Sequence, residues 1–322
     1  MRIPAGTPSP CDGEAGATHF VWTVGYLVSS RYEVIGELGN GASGLVFEAV
    51  DHDTGQHVAI KTLREQGPSA VAQITAEYQA LHHVRHPNLV SPGELILDGD
   101  RCLFTMELVD GIDLLSWVHG IDERPNRPAA PFEPTRPLGF LAATEIGSAG
   151  VGEGPTMSIR TRGHGELHLD RLRDALAQLV RGLSVLHAGG KVHRDVKPDN
   201  ILVTRSRRLV LLDFGLVADA RESRVDDDLA GTLGYIAPEQ ALGEFVAASD
   251  WYSVGVILYQ SLAGRLPFRG APYVILHAKL CMPVPEAPLA NAPPELARLA
   301  LRLLDRDPAR RPHASEILRA LE

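Results

Sequence analysis

Apolar and polar residues alternate at short period through the first third of this chain and recur at helical period beyond it. Tyr32 to Leu38, Leu45 to Val50 and His57 to Leu63 are short β-branched and apolar runs parted by glycine, and each predicts a strand. Asp53-Thr54-Gly55-Gln56 supplies the turn between the second and third. From Ala70 to Val84 the period lengthens: Ile74, Tyr78 and Leu81 form a helical stripe with Glu77 beside it. Leu95 to Leu97 and Cys102 to Leu108, joined by Asp98-Gly99-Asp100, predict a hairpin, and Gly111 and Asp113 open a short helix toward Val118. Leu169, Leu172, Leu176, Leu179, Leu183 and Leu186 describe a long amphipathic helix that stops at Gly189-Gly190. Two short strands follow, Ile201 to Val203 and Leu209 to Leu212. Residues 249–263 are apolar nearly all round, which predicts a helix buried at the centre of a lobe; further helices are expected at 295–305 and 314–321.

The pattern divides the chain into an α+β pair of lobes. A small β-rich lobe with one main helix spans 31–110, and a larger helical lobe spans 111–322. Residues 1–30 form an N-terminal extension whose first part, rich in Gly, Pro, Ala and Thr, cannot repay the entropy of ordering. Residues 120–166 interrupt the large lobe, with five prolines from Pro125 to Pro137 and seven glycines from Gly139 to Gly165. Loops this long inside a compact domain are functional or disordered. A disordered insertion is expected here, with a docking element as the alternative.

Composition narrows the class. A formal charge of -9 over 322 residues suits a soluble protein and argues against a nucleic-acid binder, which would more often be basic. Three dispersed cysteines, Cys11, Cys102 and Cys281, fit a reducing compartment better than a disulfide framework, so a cytoplasmic setting is expected. No apolar run approaches the roughly 18 residues of a membrane span. The nearest, Phe20 to Val28, is broken by Thr23 and Gly25 and leads into the first strand.

The chemistry concentrates in His193-Arg194-Asp195-Val196-Lys197-Pro198-Asp199-Asn200, a loop between the long helix and the second pair of strands. A carboxylate, an ammonium and a carboxamide there can take a proton from a hydroxyl, neutralise a phosphate and hold a divalent cation. Phosphoryl transfer needs those three services. Asp213-Phe214-Gly215 ends the next strand and suits a metal ligand on a hinge, though alone it could be an ordinary turn. Gly39, Gly41 and Gly44 are spaced Gly-x-Gly-x-x-Gly, which is weak by itself. Here it runs from strand into strand, as a flap whose backbone amides can approach phosphate oxygens. Lys61 sits inside the apolar strand Val58-Ala59-Ile60-Lys61, and Glu77 turns inward on the next helix; an unpaired buried charge is costly, so each is the natural partner of the other.

Together these motifs, in this order, resemble the Hanks-type serine/threonine protein kinases, particularly their bacterial members, from about Arg31 to Leu321. The resemblance implies a bilobal kinase fold and an ATP-dependent enzyme that phosphorylates serine and threonine of proteins, autophosphorylates and serves signalling. It assigns Gly39, Gly41 and Gly44 to the ATP phosphates, Val46 and Ala59 to the adenine faces, and Lys61, paired with Glu77, to the α- and β-phosphates. Met106 takes the gatekeeper position, Glu107 and Val109 offer backbone hydrogen bonds to adenine, and Leu202 closes the ring from below. Asp195 receives the hydroxyl proton, Lys197 steadies the γ-phosphate, and Asn200 and Asp213 hold magnesium, with manganese as an alternative. Gly231 to Glu239 looks like the substrate platform, and Thr232 points to the serine/threonine branch. Glu239 with Arg311 would form a buried ion pair, and Asp250 would brace the catalytic loop. A nucleotide-binding pseudokinase scaffold is the alternative reading; intact Lys61, Asp195, Asn200 and Asp213 weigh against it. A related small-molecule phosphotransferase would not explain Thr232 and Ala237-Pro238-Glu239.

Two positions depart from the family pattern. Pro92 stands where a large aliphatic residue of the inter-lobe spine is usual, beside Leu81, His193 and Phe214, so either the strand shifts register or the packing is weaker. Between Gly215 and Thr232 the one hydroxyl is Ser223, while Asp226-Asp227-Asp228 supplies negative charge. Arg194 precedes the catalytic aspartate, and a Ser223 phosphate or those aspartates are expected to neutralise it.

Overall fold

The computed structural model describes residues 22–41, 44–64, 67–99, 101–121, 165–213 and 233–322. The insertion, Phe214, Ser223, Asp226-Asp227-Asp228 and Thr232 lie outside them, as do most of the N-terminal extension and the side chain of Leu81.

The small lobe is a sheet of six strands ordered β1-β2-β3-β4-β6-β5, where β1 is Leu27–Val28, β2 Tyr32–Gly41, β3 Gly44–Asp51, β4 His57–Thr62, β5 Pro92–Asp98 and β6 Arg101–Glu107. Every pairing is antiparallel; short hairpins join the paired strands except β4 and β6, between which a helix and β5 intervene. Alternation sorts the side chains onto two faces. Val34, Phe47 and Ile60 pack on one side with Trp22, while Phe104 and Cys102 on the other meet Ile74 of α1 (Pro68–His82). Residues 22–30 therefore belong to this lobe, although sequence grouped them with the extension: Trp22 is 3% exposed and lies 5.1 Å, ring to ring, from Phe47.

β5 begins at Pro92, and the ladder slips between Pro92 and Leu95, the register shift foreseen as one consequence of a proline here. Its cause is local. A Cβ at Gly93 would collide with Thr105 Oγ1, so only glycine lets the bulge close on β6. Arg85 and Tyr78 donate to the carbonyls of Pro92 and Gly93, satisfying groups the bulge removes from the ladder.

The large lobe opens with β7 (Gly111–Asp113) and α2 (Leu114–Val118), whose N-cap is Asp113 accepting from Ser116 N at 2.9 Å. α3 (Leu169–Ala188) buries its leucine stripe against α4 (Ala247–Ala263), which is buried from Ser249 to Ser261. α5 (Pro272–Cys281), α6 (Pro294–Leu303) and α7 (Ala314–Leu321) complete the lobe. Sequence periodicity did not reveal α5. β8 (Ile201–Thr204) and β9 (Leu209–Leu211) join β7 in a second sheet ordered β7-β8-β9.

The segment after α1 and the end of β6 fasten the small lobe to the second sheet. Val90 N donates to Leu211 O and Leu211 N to Asn88 O, a strand-like bond between the segment after α1 and β9. Arg208, in the β8–β9 turn, forks onto Glu107 at 2.6 and 2.8 Å while its Nε donates to Pro87 O.

Candidate active site

The glycine flap is the β2–β3 hairpin, in which Gly41 faces Gly44 and Gly39 faces Val46. Gly44 has φ of +120° and a Cβ there would strike the Thr62 carbonyl, so this turn admits glycine alone. Val46 pairs in turn with Lys61, and Ala59 with Met106, so the flap, the lysine and Met106 share one stretch of sheet. Met106 packs against both the α1 core and the large-lobe core. Val109, beyond the end of β6, packs on the large-lobe core, and Leu202 lies half-buried on β8. The amide of Glu107 donates to Ser91 O at 2.9 Å.

Lys61 is 2% exposed, and its Nζ lies 2.6 Å from Glu77 Oε1 and in contact with Asp213 Oδ1. Burial disfavours the ammonium, but the Asp213 and Glu77 carboxylates overcome it and hold the lysine above its ordinary value. The Glu77 carboxyl is pushed up to about 7, chiefly by burial and further by Asp213, against the pull of Lys61. One ammonium thus serves two carboxylates, one from each lobe.

The 193–200 loop is built on a different support. Asp250, 1% exposed on α4, accepts the amides of His193 and Arg194, both at 2.9 Å, and its Oδ2 lies 2.7 Å from His187 Nε2. His193 Nε2 faces the Leu212 carbonyl at 3.0 Å while its Nδ1 faces the Asp195 amide at 3.3 Å. A carbonyl only accepts and an amide only donates, so the proton is on Nε2. Arg194 adopts a left-handed φ of +72°, and its guanidinium lies 4.2 Å from the Phe245 ring centroid. Burial lowers its pKa from the ordinary arginine value, with Asp250 opposing.

Asp195 Oδ2 receives both Asn200 Nδ2 at 2.9 Å and Lys197 Nζ at 2.9 Å. Its Oδ1 has no hydrogen-bond partner among the described residues. A carboxylate held by one oxygen and open at the other can receive a proton from an incoming hydroxyl. Because Asn200 turns its Nδ2 toward the Asp195 carbonyl and carboxylate, its amide oxygen points to the remaining side of the loop. That oxygen and the Asp213 carboxylate are hard donors of the type magnesium takes with phosphate oxygens and water, so the residues present fit such an ion.

The structure also places Glu239 and Arg311 in a forked pair at 2.6 and 2.7 Å, with the side chains 7% and 0% exposed. Gln240 joins this region to the loop, accepting from Ala237 N and donating to Arg194 O. Gln240, Arg208 and Phe245 were not singled out from sequence. Each is one polar or aromatic residue in a turn, without a period or spacing to mark it.

The family described as protein tyrosine and serine/threonine kinase matches residues 32–321. Serine/threonine-protein kinase PknA of Mycobacterium tuberculosis is 31% identical over 299 residues, covering 89% of this chain and 59% of its own length. PkaA of Streptomyces coelicolor is 30% identical over 315 residues, covering 91% of this chain and 50% of its own. CBL-interacting protein kinase 16 of rice, Oryza sativa subsp. japonica, is 30% identical over 304 residues, covering 91% and 56%. The chain therefore spans between half and three-fifths of the length of these relatives.

Proposed function

We propose that this chain, which belongs to the protein tyrosine and serine/threonine kinase family, transfers the γ-phosphate of ATP to serine and threonine hydroxyls of proteins, itself included, in a signalling role. Family membership brings the bilobal α+β fold, and the family generally uses ATP and magnesium. The observation that carries the reading is the Lys61 ammonium, bound at once to Glu77 of α1 and to Asp213 beyond β9. It sets the nucleotide-facing side of the small lobe against the catalytic loop of the large one.

On this reading the flap amides around Gly39, Gly41 and Gly44 lie over the phosphates. Lys61 contacts the α- and β-phosphates, and Glu77 keeps it aimed. Val46, Ala59, Met106 and Leu202 enclose the adenine, with the Glu107 carbonyl and the Val109 backbone at its edge. Asp195 orients the acceptor hydroxyl and takes its proton on Oδ1, while Lys197 steadies the γ-phosphate. Asn200 and Asp213 would hold magnesium, which would offset phosphate charge when bound; manganese has the same donor preference. Positioning and charge compensation supply most of the rate in such a reaction.

The test is to incubate the protein with magnesium and labelled ATP, beside Asp195→Asn, and to look for phosphoserine and phosphothreonine on the chain and on myelin basic protein. Label above the variant's level is expected. Label no higher than the variant's would favour a nucleotide-binding scaffold.

Arg194 is the proposed point of control, with a Ser223 phosphate or Asp226, Asp227 and Asp228 as its counter-charge and Thr232 on the acceptor side. A variant combining Ser223→Ala with asparagine at the three aspartates should lose several-fold in kcat. Full activity in that variant would exclude this control. Among the described residues no helix is long and apolar enough to cross a membrane.

A further inference from the structure

Lys279 is the second fully buried lysine of the chain, and unlike Lys61 it has no carboxylate within salt-bridge distance among the described residues. It is 2% exposed on α5, and its Nζ donates to Gly234 O at 2.8 Å and Ile236 O at 2.6 Å. The ammonium also lies 5.0 Å from the ring centroid of Tyr252. Burial pushes it down to about 7, with Glu239 opposing and Arg311 adding to the fall. If the only requirement were to seat α5 on the lobe, an apolar side chain would do it at lower cost.

What the lysine adds is direction. The carbonyl between its two acceptors, Tyr235 O, takes the hydroxyl of Ser253 on α4 at 2.9 Å. Three consecutive carbonyls, 234 to 236, thus point into the lobe and end on side-chain donors from two helices. The next residue, Ala237, is coupled through Gln240 to the carbonyl of Arg194, beside Asp195. The orientation of 234–236 is therefore registered against the catalytic loop.

We infer that Lys279, with Ser253, forms a clasp on residues 234–236 that positions the polypeptide acceptor and sets its affinity. This rests on the protein-kinase reading, and assigns it a positioning residue outside the catalytic loop. Lys279 touches neither nucleotide nor acceptor; it acts through the backbone it holds.

The test separates acceptor from nucleotide. Lys279→Met keeps the stem and removes the donors, and is expected to raise KM for myelin basic protein about tenfold or more. KM for ATP and binding of a fluorescent ATP analogue should stay within about twofold of wild type, since the lost bonds lie on the acceptor side. Ser253→Ala frees the middle carbonyl and should shift the same constant in the same direction. If Lys279→Met leaves the acceptor KM unchanged, or raises both KM values alike, the clasp is excluded. Should Lys279→Met lack a cooperative unfolding transition, Ser253→Ala decides, and an unchanged acceptor KM there excludes it too. A wild-type protein that labels no polypeptide would overturn the parent reading and this inference with it.

Discussion

Arg311→Ala is expected to lower the free energy of unfolding by about 3–5 kcal/mol, the range for removing one partner of a buried ion pair. The loss comes less from the attraction itself than from what remains. Glu239 is 6% exposed, and without the guanidinium its carboxylate keeps the Ser249 hydroxyl at 2.7 Å and its own backbone amide. Three backbone carbonyls, of Asp305, Ala248 and Arg306, also lose their donor. In the native protein burial pushes the Glu239 carboxyl up, but hydrogen bonds from Arg311 and Ser249 outweigh it and hold the group below its ordinary 4.5. A carboxylate with a lowered folded pKa contributes stability that is complete above its unfolded pKa and is lost as pH falls through the folded one. Removing Arg311 leaves burial to dominate and reverses that direction. Urea unfolding near neutral pH should show the loss in full, and the deficit against wild type should narrow as pH falls and Glu239 takes up a proton in the variant. A midpoint change worth less than about 1 kcal/mol, the range of exposed pairs, would mean the pair is not buried in solution.

Lys61→Met is expected to cut phosphotransfer by about 10²–10³-fold, the cost of losing one preorganised charge at the reacting phosphates. The stem volume is nearly kept, so the small-lobe core around β4 should survive. The change is electrostatic: Glu77 and Asp213 would face each other with no cation between them. Glu77, already raised mainly by burial, would then take up a proton rather than remain charged. Steady-state rates with magnesium and ATP, read beside a thermal unfolding scan, check this. A folded variant within about threefold of wild type would remove Lys61 from the proposed machinery.

The strands and most helices could be read from spacing because each buries one face, and burial leaves a period of 2 or 3.6 behind. Lys61 and Glu77 were legible for a related reason: a charge inside an apolar run needs a partner, and few are within reach. α5 escaped because its single turn-by-turn pattern is nearly uniform, with Tyr273 and Val274 exposed and Lys279 buried. Lys279 is, in retrospect, the same signal as Lys61, a lysine in an apolar run. Its acceptors are main-chain carbonyls, though, and main-chain groups carry no residue identity to search for. The role of Asp250 came only from the family resemblance, since its partners are amides more than fifty positions away. The register slip at Pro92 could be anticipated as one of two outcomes; the collision that decides between them, Gly93 against Thr105, depends on the neighbouring strand.

The Asp250 contacts have a consequence for how the two halves of the site come apart. The amides of His193 and Arg194 end on a carboxylate of α4, the most enclosed helix of the large lobe. They cannot open without disturbing that helix, so their exposure to solvent is tied to cooperative unfolding of the lobe. The glycine hairpin is held by the ladder bonds of β2, β3 and β4. On the kinase reading, the site thus joins a part that yields only with its whole lobe to a part held by ladder bonds, and nucleotide would exchange through the second while the first stays folded.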